Sequence, residues 1–92
     1  MTMIKHISIK IYGLVQGVFF RAATQERAWE LNLAGFVRNE PDGSVYAEAE
    51  GDAQAVDAFI AWCRQGPERA RVDNCVVVEG QPKGYTDFVI KR

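Results

Sequence analysis

The segment Gly13-Leu14-Val15-Gln16-Gly17-Val18-Phe19-Phe20-Arg21 joins a strand-like stretch to a helix-like one. Before it, Ile7, Ile9 and Ile11 alternate with polar residues, which predicts a strand with one buried face. After it, residues 22–33 are rich in helix formers and predict a helix. A tight loop between a strand and a helix directs backbone N–H groups at an anion. No proline removes a donor from this loop, so the segment favours a phosphate site.

The arginine at the end of the segment supplies a matching positive charge. Arg21 carries a planar guanidinium whose paired N–H groups suit phosphate oxygens. We call residues 15–20 the glycine loop, and we expect its backbone amides to bind phosphate; these belong to Val15, Gln16, Gly17, Val18, Phe19 and Phe20. From these residues alone, a plain strand–helix connection with a surface arginine stays the alternative.

The rest of the chain predicts further strands and one turn. Apolar alternation favours strands at 36–40, 45–50, 72–79 and 88–91. The last two segments together form the final strand of the predicted order, which is then split in two. Pro41-Asp42-Gly43 is a turn sequence, because proline fixes φ, aspartate bonds nearby backbone and glycine permits a positive φ. The inward face of 72–79 stays open, since three valines are consecutive there.

A second helix follows Asp52, a favourable N-cap residue, and ends at Gly66-Pro67. One apolar face per strand and two amphipathic helices predict an α+β fold with the order βαββαβ. This is the ferredoxin-like split βαβ arrangement, an antiparallel sheet with two helices packed on one face. We expect one domain over residues 1–92. We also expect the second strand to run opposite to the first, so that periodicity does not settle which of its residues faces the glycine loop.

Composition and charge limit the classes of function. A net charge of −1 argues against binding nucleic acid through bulk electrostatics. No apolar stretch has the length of a signal peptide or a membrane span, so we expect a cytoplasmic protein without a membrane partner. His6, Cys63 and Cys75 lack the spacing of metal ligands, and we expect no metal, no cofactor and no disulfide.

Two signatures resemble the acylphosphatase family. Its pattern Gly-x-Val-Gln-Gly-Val-x-Phe-Arg is met within residues 13–21, and Gly-x-Val-x-Asn-x-x-Asp-Gly-x-Val is met within residues 35–45. The resemblance extends through the Gly66-Pro67 break to the Asp87-Phe88-Val89-Ile90 end. Tyr46 is a departure, since the family often has glutamate there. The resemblance implies the same fold and the metal-independent hydrolysis of a carboxyl–phosphate bond.

The resemblance also implies the catalytic residues Arg21 and Asn39, with Asn39 beside Arg21. Arg21 and the loop amides would hold the phosphoryl oxygens, and Asn39 would hold the water that attacks in line. The carboxylate needs no general acid to leave, because a typical carboxyl pKa is about 4. The expected partners are a small-molecule acyl phosphate and inorganic phosphate, the latter as product and competitive inhibitor. We expect a monomer.

Two other functions stay open. A non-catalytic ferredoxin-like module that binds a ligand or RNA would stack bases on Tyr12, Phe36 and Tyr46 of the sheet face. A carbamoyl-phosphate-handling module would need the remainder of a larger enzyme. Release of phosphate from a simple acyl phosphate separates the first of these from the hydrolase.

Several single residues have expected positions. His6 is expected on the surface, and Glu48 and Glu50 on a solvated strand edge. Gln16 is either a substrate contact or a structural polar side chain. Arg92 is expected to form an ion pair, either with a terminal charge or with a charge in the glycine loop.

Overall fold

The computed structural model describes residues 3–91, which form a five-stranded sheet with two helices on one face. Arg92, for which an ion pair was considered, lies outside the described residues. The elements in chain order are β1 (Ile4–Leu14), α1 (Phe20–Glu30), β2 (Ala34–Asn39), β3 (Val45–Asp52), α2 (Ala53–Gln65), β4 (Arg71–Gly80) and β5 (Phe88–Ile90).

The strands lie in the order β4-β1-β3-β2-β5. Neighbours are antiparallel except for β2 and β5, which pair in parallel. The predicted ferredoxin-like α+β fold is therefore confirmed, with its final strand split between the two edges of the sheet. The expectation of a wholly antiparallel sheet holds for the four longer strands, and only the three-residue β5 departs from it.

The relative direction of β1 and β2 corrects one expectation. Both strands are antiparallel to β3, which lies between them, so they run in the same direction. The expected opposite direction was wrong because a split βαβ unit places its two parallel strands on either side of a third strand. The carboxyl ends of β1 and β2 therefore lie at the same end of the sheet, where the glycine loop begins.

The core lies between the sheet and the two helices. Ile7 and Ile9 of β1 stand opposite Ala49 and Ala47 of β3, and all four side chains are buried. The helix α2 packs a stripe on this layer, as its spacing predicted; the buried members are Val56, Phe59 and Cys63. The inward residues of β4 are Val72, Cys75 and Val77, whereas Val76 and Val78 are exposed.

The helix α1 begins two residues before the predicted start and ends three before the predicted end. Asn32 has a left-handed backbone with φ of +57° and terminates it. The amide of Asn32 bonds to the Trp29 carbonyl, and the amide of Leu33 bonds to the Ala28 carbonyl. These two bonds form a Schellman motif, in which asparagine takes the place that glycine usually has.

Neither helix in the described part of the chain has the length and apolar character needed to cross a bilayer.

Candidate functional site

A cavity of about 290 Å³ opens at the carboxyl ends of β1 and β2. It is lined by Val15, Gly17, Phe19, Phe20, Arg21, Ala22, Asn39 and Ile90. Six of these eight belong to the residues that the sequence singled out for phosphate binding or catalysis. Their convergence follows from the parallel course of β1 and β2, which brings the glycine loop and the end of β2 to one place.

Two left-handed backbone positions shape the glycine loop. Gly17 has φ of +74° and Phe19 has φ of +62°. A Cβ on Gly17 would meet no protein atom within 4 Å, so this glycine provides conformational freedom rather than room for a neighbouring chain. The turn that it allows presents the loop backbone to the cavity.

The backbone donors of the glycine loop are free. Among residues 3–91, the amides of residues 16–22 make no hydrogen bond to a backbone carbonyl. The helix α1 has no side-chain cap and no acidic residue in its first turn. Unpaired N–H groups at a helix start carry partial positive charge and attract anions. The backbone geometry therefore fits the predicted phosphate-binding role.

Arg21 lies in the first turn of α1, half-buried at the cavity wall. No carboxylate of residues 3–91 pairs with its guanidinium within 4 Å. It is the one charged side chain that lines the cavity among the described residues. An anion placed there would meet the guanidinium and the helix amides together.

Asn39 is the last residue of β2 and is half-buried in the same cavity.

The hairpin that follows Asn39 is held by hydrogen bonds within it. The Gly43 amide bonds to the Glu40 carbonyl, and the Asp42 carboxylate accepts bonds from the hydroxyl and amide of Ser44. The two bonds from Ser44, with a weaker contribution from Lys10, lower the pKa of Asp42 to about 2. The predicted Pro-Asp-Gly turn is confirmed, and its hydrogen bonds fix the carboxyl end of β2, where Asn39 lies.

Gln16 links the glycine loop to this hairpin. Its side-chain amide donates to the carbonyls of Glu40 and Ser44, at 2.8 and 2.9 Å. Of the two predicted roles for the Gln16 side chain, a substrate contact or a structural one, these bonds favour the structural role. The two bonds tie the loop that carries the free amides to the strand that ends at Asn39.

Two residues of the glycine loop do not line the cavity, and two unpredicted ones do. The Gln16 side chain turns to the hairpin, and Val18 packs against the core. Ala22 and Ile90 line the cavity although no motif pointed to them. Ala22 lines the cavity because α1 begins at Phe20, two residues earlier than expected, which places Ala22 in the first turn of the helix. Ile90 arrives through the parallel pairing of β5 with β2, which sequence periodicity does not reveal.

A second polar cluster lies on the sheet face opposite the helices, which we call the open face. His6 is buried there, with its Nδ1 2.7 Å from Glu50 and its Nε2 3.2 Å from Glu48. The expectations of a surface histidine and of solvated glutamates were wrong. Residues 81–87, which we call the crossing segment, connect β4 at one edge to β5 at the other and cover these side chains.

The crossing segment satisfies both buried carboxylates. Glu50 accepts bonds from the amides of Lys83, Gly84 and Tyr85. Burial raises the pKa of Glu48, but hydrogen bonds from Tyr46, Lys83 and Tyr85 outweigh it and lower the pKa to about 2. Burial also opposes ionisation of Glu50, yet its partners lower its pKa below the usual range. No member of this cluster lines the cavity at the carboxyl ends of β1 and β2.

Three aromatic residues of the open face, Phe36, Tyr46 and Tyr85, pack against one another. Phe36 is 5% exposed, and its ring lies 5.9 Å from that of Tyr46 and 6.1 Å from that of Tyr85. The charged ends of Arg38 and Lys91 lie over the Phe36 ring. Because Phe36 is covered on the open face, it is unavailable for stacking on a base.

Both thiols are free. Cys63 is buried and Cys75 is half-buried, as small apolar residues would be. Burial raises the pKa of each thiol.

The family model and the curated relatives that match this chain indicate one family. Residues 7–90 match the family model described as Acylphosphatase. The chain is 48% identical to the acylphosphatase of Methylococcus capsulatus, over 96% of this chain and 97% of that protein. The fold matches the crystal structure of acylphosphatase from Bacillus subtilis with a TM-score of 0.93 and 34% identity, over 98% of this chain and 100% of that one. It also matches T. kodakarensis HypF with a TM-score of 0.83 and 33% identity, over 96% of this chain and 12% of that one.

Proposed function

The chain belongs to the acylphosphatase family, and on that premise we propose that Arg21, Asn39 and the glycine loop hydrolyse an acyl phosphate to a carboxylate and inorganic phosphate. The observation that carries this assignment is one cavity lined by a guanidinium without a carboxylate partner in residues 3–91, a strand-end amide and a loop of unpaired N–H groups. The arrangement offers donors for the phosphoryl oxygens and an acceptor for water.

The phosphoryl group would lie on the loop amides and Arg21. Charge spreads over the three equatorial oxygens in the transition state, and fixed donors around them stabilise that charge. Arg21 contributes two donors in one plane, and the N-terminus of α1 adds partial positive charge. These groups are oriented before the substrate arrives, so little rearrangement opposes the reaction.

Asn39 would position the attacking water. Its side-chain oxygen can accept a hydrogen bond from the water, which orients the water with an oxygen lone pair directed at phosphorus. Asparagine is not a base near neutral pH, so the water proton passes to a phosphate oxygen. The new P–O bond forms as the bond between phosphorus and the acyl oxygen breaks. The acyl oxygen leaves as a carboxylate, whose pKa of about 4 makes general-acid help unnecessary.

The competing RNA-binding function has less support. It needs accessible aromatic rings and a basic surface, whereas Phe36 is buried and the net charge is −1. No observation on the open face favours a nucleic acid over the contacts already made within the protein.

The direct test measures phosphate release from benzoyl phosphate and from acetyl phosphate by the purified protein, with and without EDTA. We expect release from acyl phosphates in both conditions and competitive inhibition by inorganic phosphate. Loss of activity in EDTA with recovery on addition of a divalent ion would overturn the metal-independent mechanism. If a folded protein releases phosphate from neither substrate, the proposed function itself is overturned.

A further inference from the structure

The cavity is larger than the proposed chemistry requires. It measures about 290 Å³. At roughly 30 Å³ for each water-sized group, four phosphoryl oxygens and one water take about half of that space. The remaining space borders side chains that have no part in the phosphoryl chemistry proposed above.

Those side chains are apolar. Val15 and Phe20 are buried and form the floor, whereas Phe19 and Ile90 are 75% and 38% exposed and form part of the mouth. No lysine, aspartate or glutamate lines the cavity among the described residues. A charged acyl group would find no second ionic partner here, while an apolar one would find a surface to cover.

Phe19 is an unusual residue at its position. Its backbone is left-handed, with φ of +62° and ψ of +24°, a conformation that disfavours a bulky side chain. Its ring is outside the core and mostly in solvent, so packing within the protein does not offset that strain. It also stands at the N-cap of α1, where a serine or aspartate would use up a helix amide.

Resting on the proposed function, we propose that the Phe19 ring, with Ile90, contacts the acyl portion of the substrate and makes the enzyme selective for acyl phosphates with apolar or aromatic acyl groups. The phosphoryl group sits on the amides, and the rest of the substrate leaves the cavity through its mouth. An aromatic acyl group then covers the exposed ring, which removes apolar surface of both partners from water.

The test compares kcat/KM for benzoyl phosphate and for acetyl phosphate and uses their ratio. Phe19 also contributes a backbone amide to the glycine loop, and damage to that amide affects both substrates and cancels in the ratio. We expect Phe19→Ala to lower the ratio about three- to tenfold. The fall should come mainly from a higher KM for benzoyl phosphate, because the ring contact exists in the ground state and in the transition state.

Three further variants complete the design. Phe19→Asn removes the ring but tolerates the left-handed backbone, so it should lower the ratio even where Phe19→Ala folds poorly. Phe19→Tyr keeps the ring and should keep the ratio. Leu14→Ala removes an exposed apolar side chain that does not line the cavity, and it should leave the ratio unchanged.

The outcomes separate the two proposals. If the wild-type protein hydrolyses both substrates but neither ring-deleting variant changes the ratio, the acyl contact is wrong and the proposed function stands. An equal fall in Leu14→Ala would also overturn the contact. If the wild-type protein hydrolyses neither substrate, the proposed function fails and the selectivity fails with it.

Discussion

Arg21 and Asn39 line one cavity but offer different chemistry to a substrate. A guanidinium is a permanent cation with paired donors, whereas a carboxamide is neutral and both donates and accepts. In the proposed mechanism Arg21 therefore contacts the phosphoryl group throughout, and Asn39 contacts only the water. The two residues should be separable by measuring binding and turnover independently.

We expect Asn39→Ala to lower kcat by about 10²–10³, the effect of losing one well-placed transition-state hydrogen bond. The inhibition constant of inorganic phosphate should change little, because Asn39 is not assigned to the phosphoryl group. Steady-state kinetics and phosphate inhibition on the same preparation give both values. Asn74→Ala, an exposed asparagine outside the cavity, is the control. Turnover near the wild-type value in a folded Asn39→Ala protein would refute the water-positioning role.

We expect Arg21→Lys to reduce both phosphate affinity and turnover, although it keeps the charge. Lysine presents a single ammonium point instead of a planar pair of donors. The unfolding midpoint in urea should change little, because lysine keeps the charge and the Arg21 guanidinium has no carboxylate partner within 4 Å in residues 3–91. Arg64→Lys, on the exposed side of α2, controls for a general effect of the substitution. Retention of most binding and turnover would mean that Arg21 supplies only charge.

At the scale of elements, the end of α1 shows how one backbone angle sets a boundary. The apolar pattern continues to Leu33, but the left-handed Asn32 turns the chain toward β2 after Leu31. Leu33 is then free to be buried against the sheet, and Gly35 enters β2. Sequence periodicity alone overestimates the length of the helix, because apolar residues before and after the turn, such as Ala28 and Leu33, are both buried in the core.

The Schellman motif makes a direct prediction about stability. We expect Asn32→Ala to destabilise the protein by about 1 kcal/mol, because alanine is strained in a left-handed backbone. The melting temperature of a domain of this size should then fall by roughly 4–8 °C. Asn32→Gly is the matched control, since glycine adopts this backbone freely and should preserve or raise the melting temperature. Equal melting temperatures for the alanine and glycine variants would contradict the assigned conformation.

At the scale of the whole molecule, the crossing segment joins the two edges of the sheet through buried charge. Its amides and side chains bond to Glu48 and Glu50 on β3, and His6 of β1 lies between these two carboxylates. A seven-residue connection without regular structure is thereby attached to β3, the central strand of the sheet.

This attachment predicts a dependence of stability on acid. The pKa of Glu48 falls from 4.5 to about 2 on folding, and that of Glu50 is also lowered. A carboxyl with a depressed pKa stabilises the folded state above its unfolded pKa, and this contribution is lost as the pH falls toward its folded pKa. For Glu48 the loss amounts to about 3 kcal/mol at most. The free energy of unfolding should therefore decrease between about pH 4.5 and pH 2.

Urea titrations across this pH range provide the measurement. Glu48→Gln should be less stable than the wild-type protein near neutral pH and should lose less stability on acidification. Glu26→Gln, an exposed position on α1, should follow the wild-type curve. Parallel pH curves for wild type and Glu48→Gln would show that the bonds from the crossing segment do not stabilise the charged form.

The predictable part of this protein was local. Residues 13–21, the Pro41-Asp42-Gly43 turn and the Asp52 cap are recognisable because they depend on steric and hydrogen-bonding preferences within a few residues. The inward face of β4 was not predictable, since three consecutive valines fit either face. The pairing with β1 selects Val77 for the core and leaves Val76 and Val78 exposed.

The sequence by itself determined the elements, the α+β class and the loop of free amides that ends in Arg21. Only the tertiary structure decided that β1 and β2 run in the same direction, that Asn39 and Ile90 reach the same cavity, and that His6 is buried with two glutamates. The reason is physical. Turns and caps satisfy hydrogen bonds between near neighbours in the chain. Strand order and the burial of a charged cluster instead depend on pairings between residues far apart in the chain, such as His6 with Glu50, which are 44 residues apart, and no local preference encodes these.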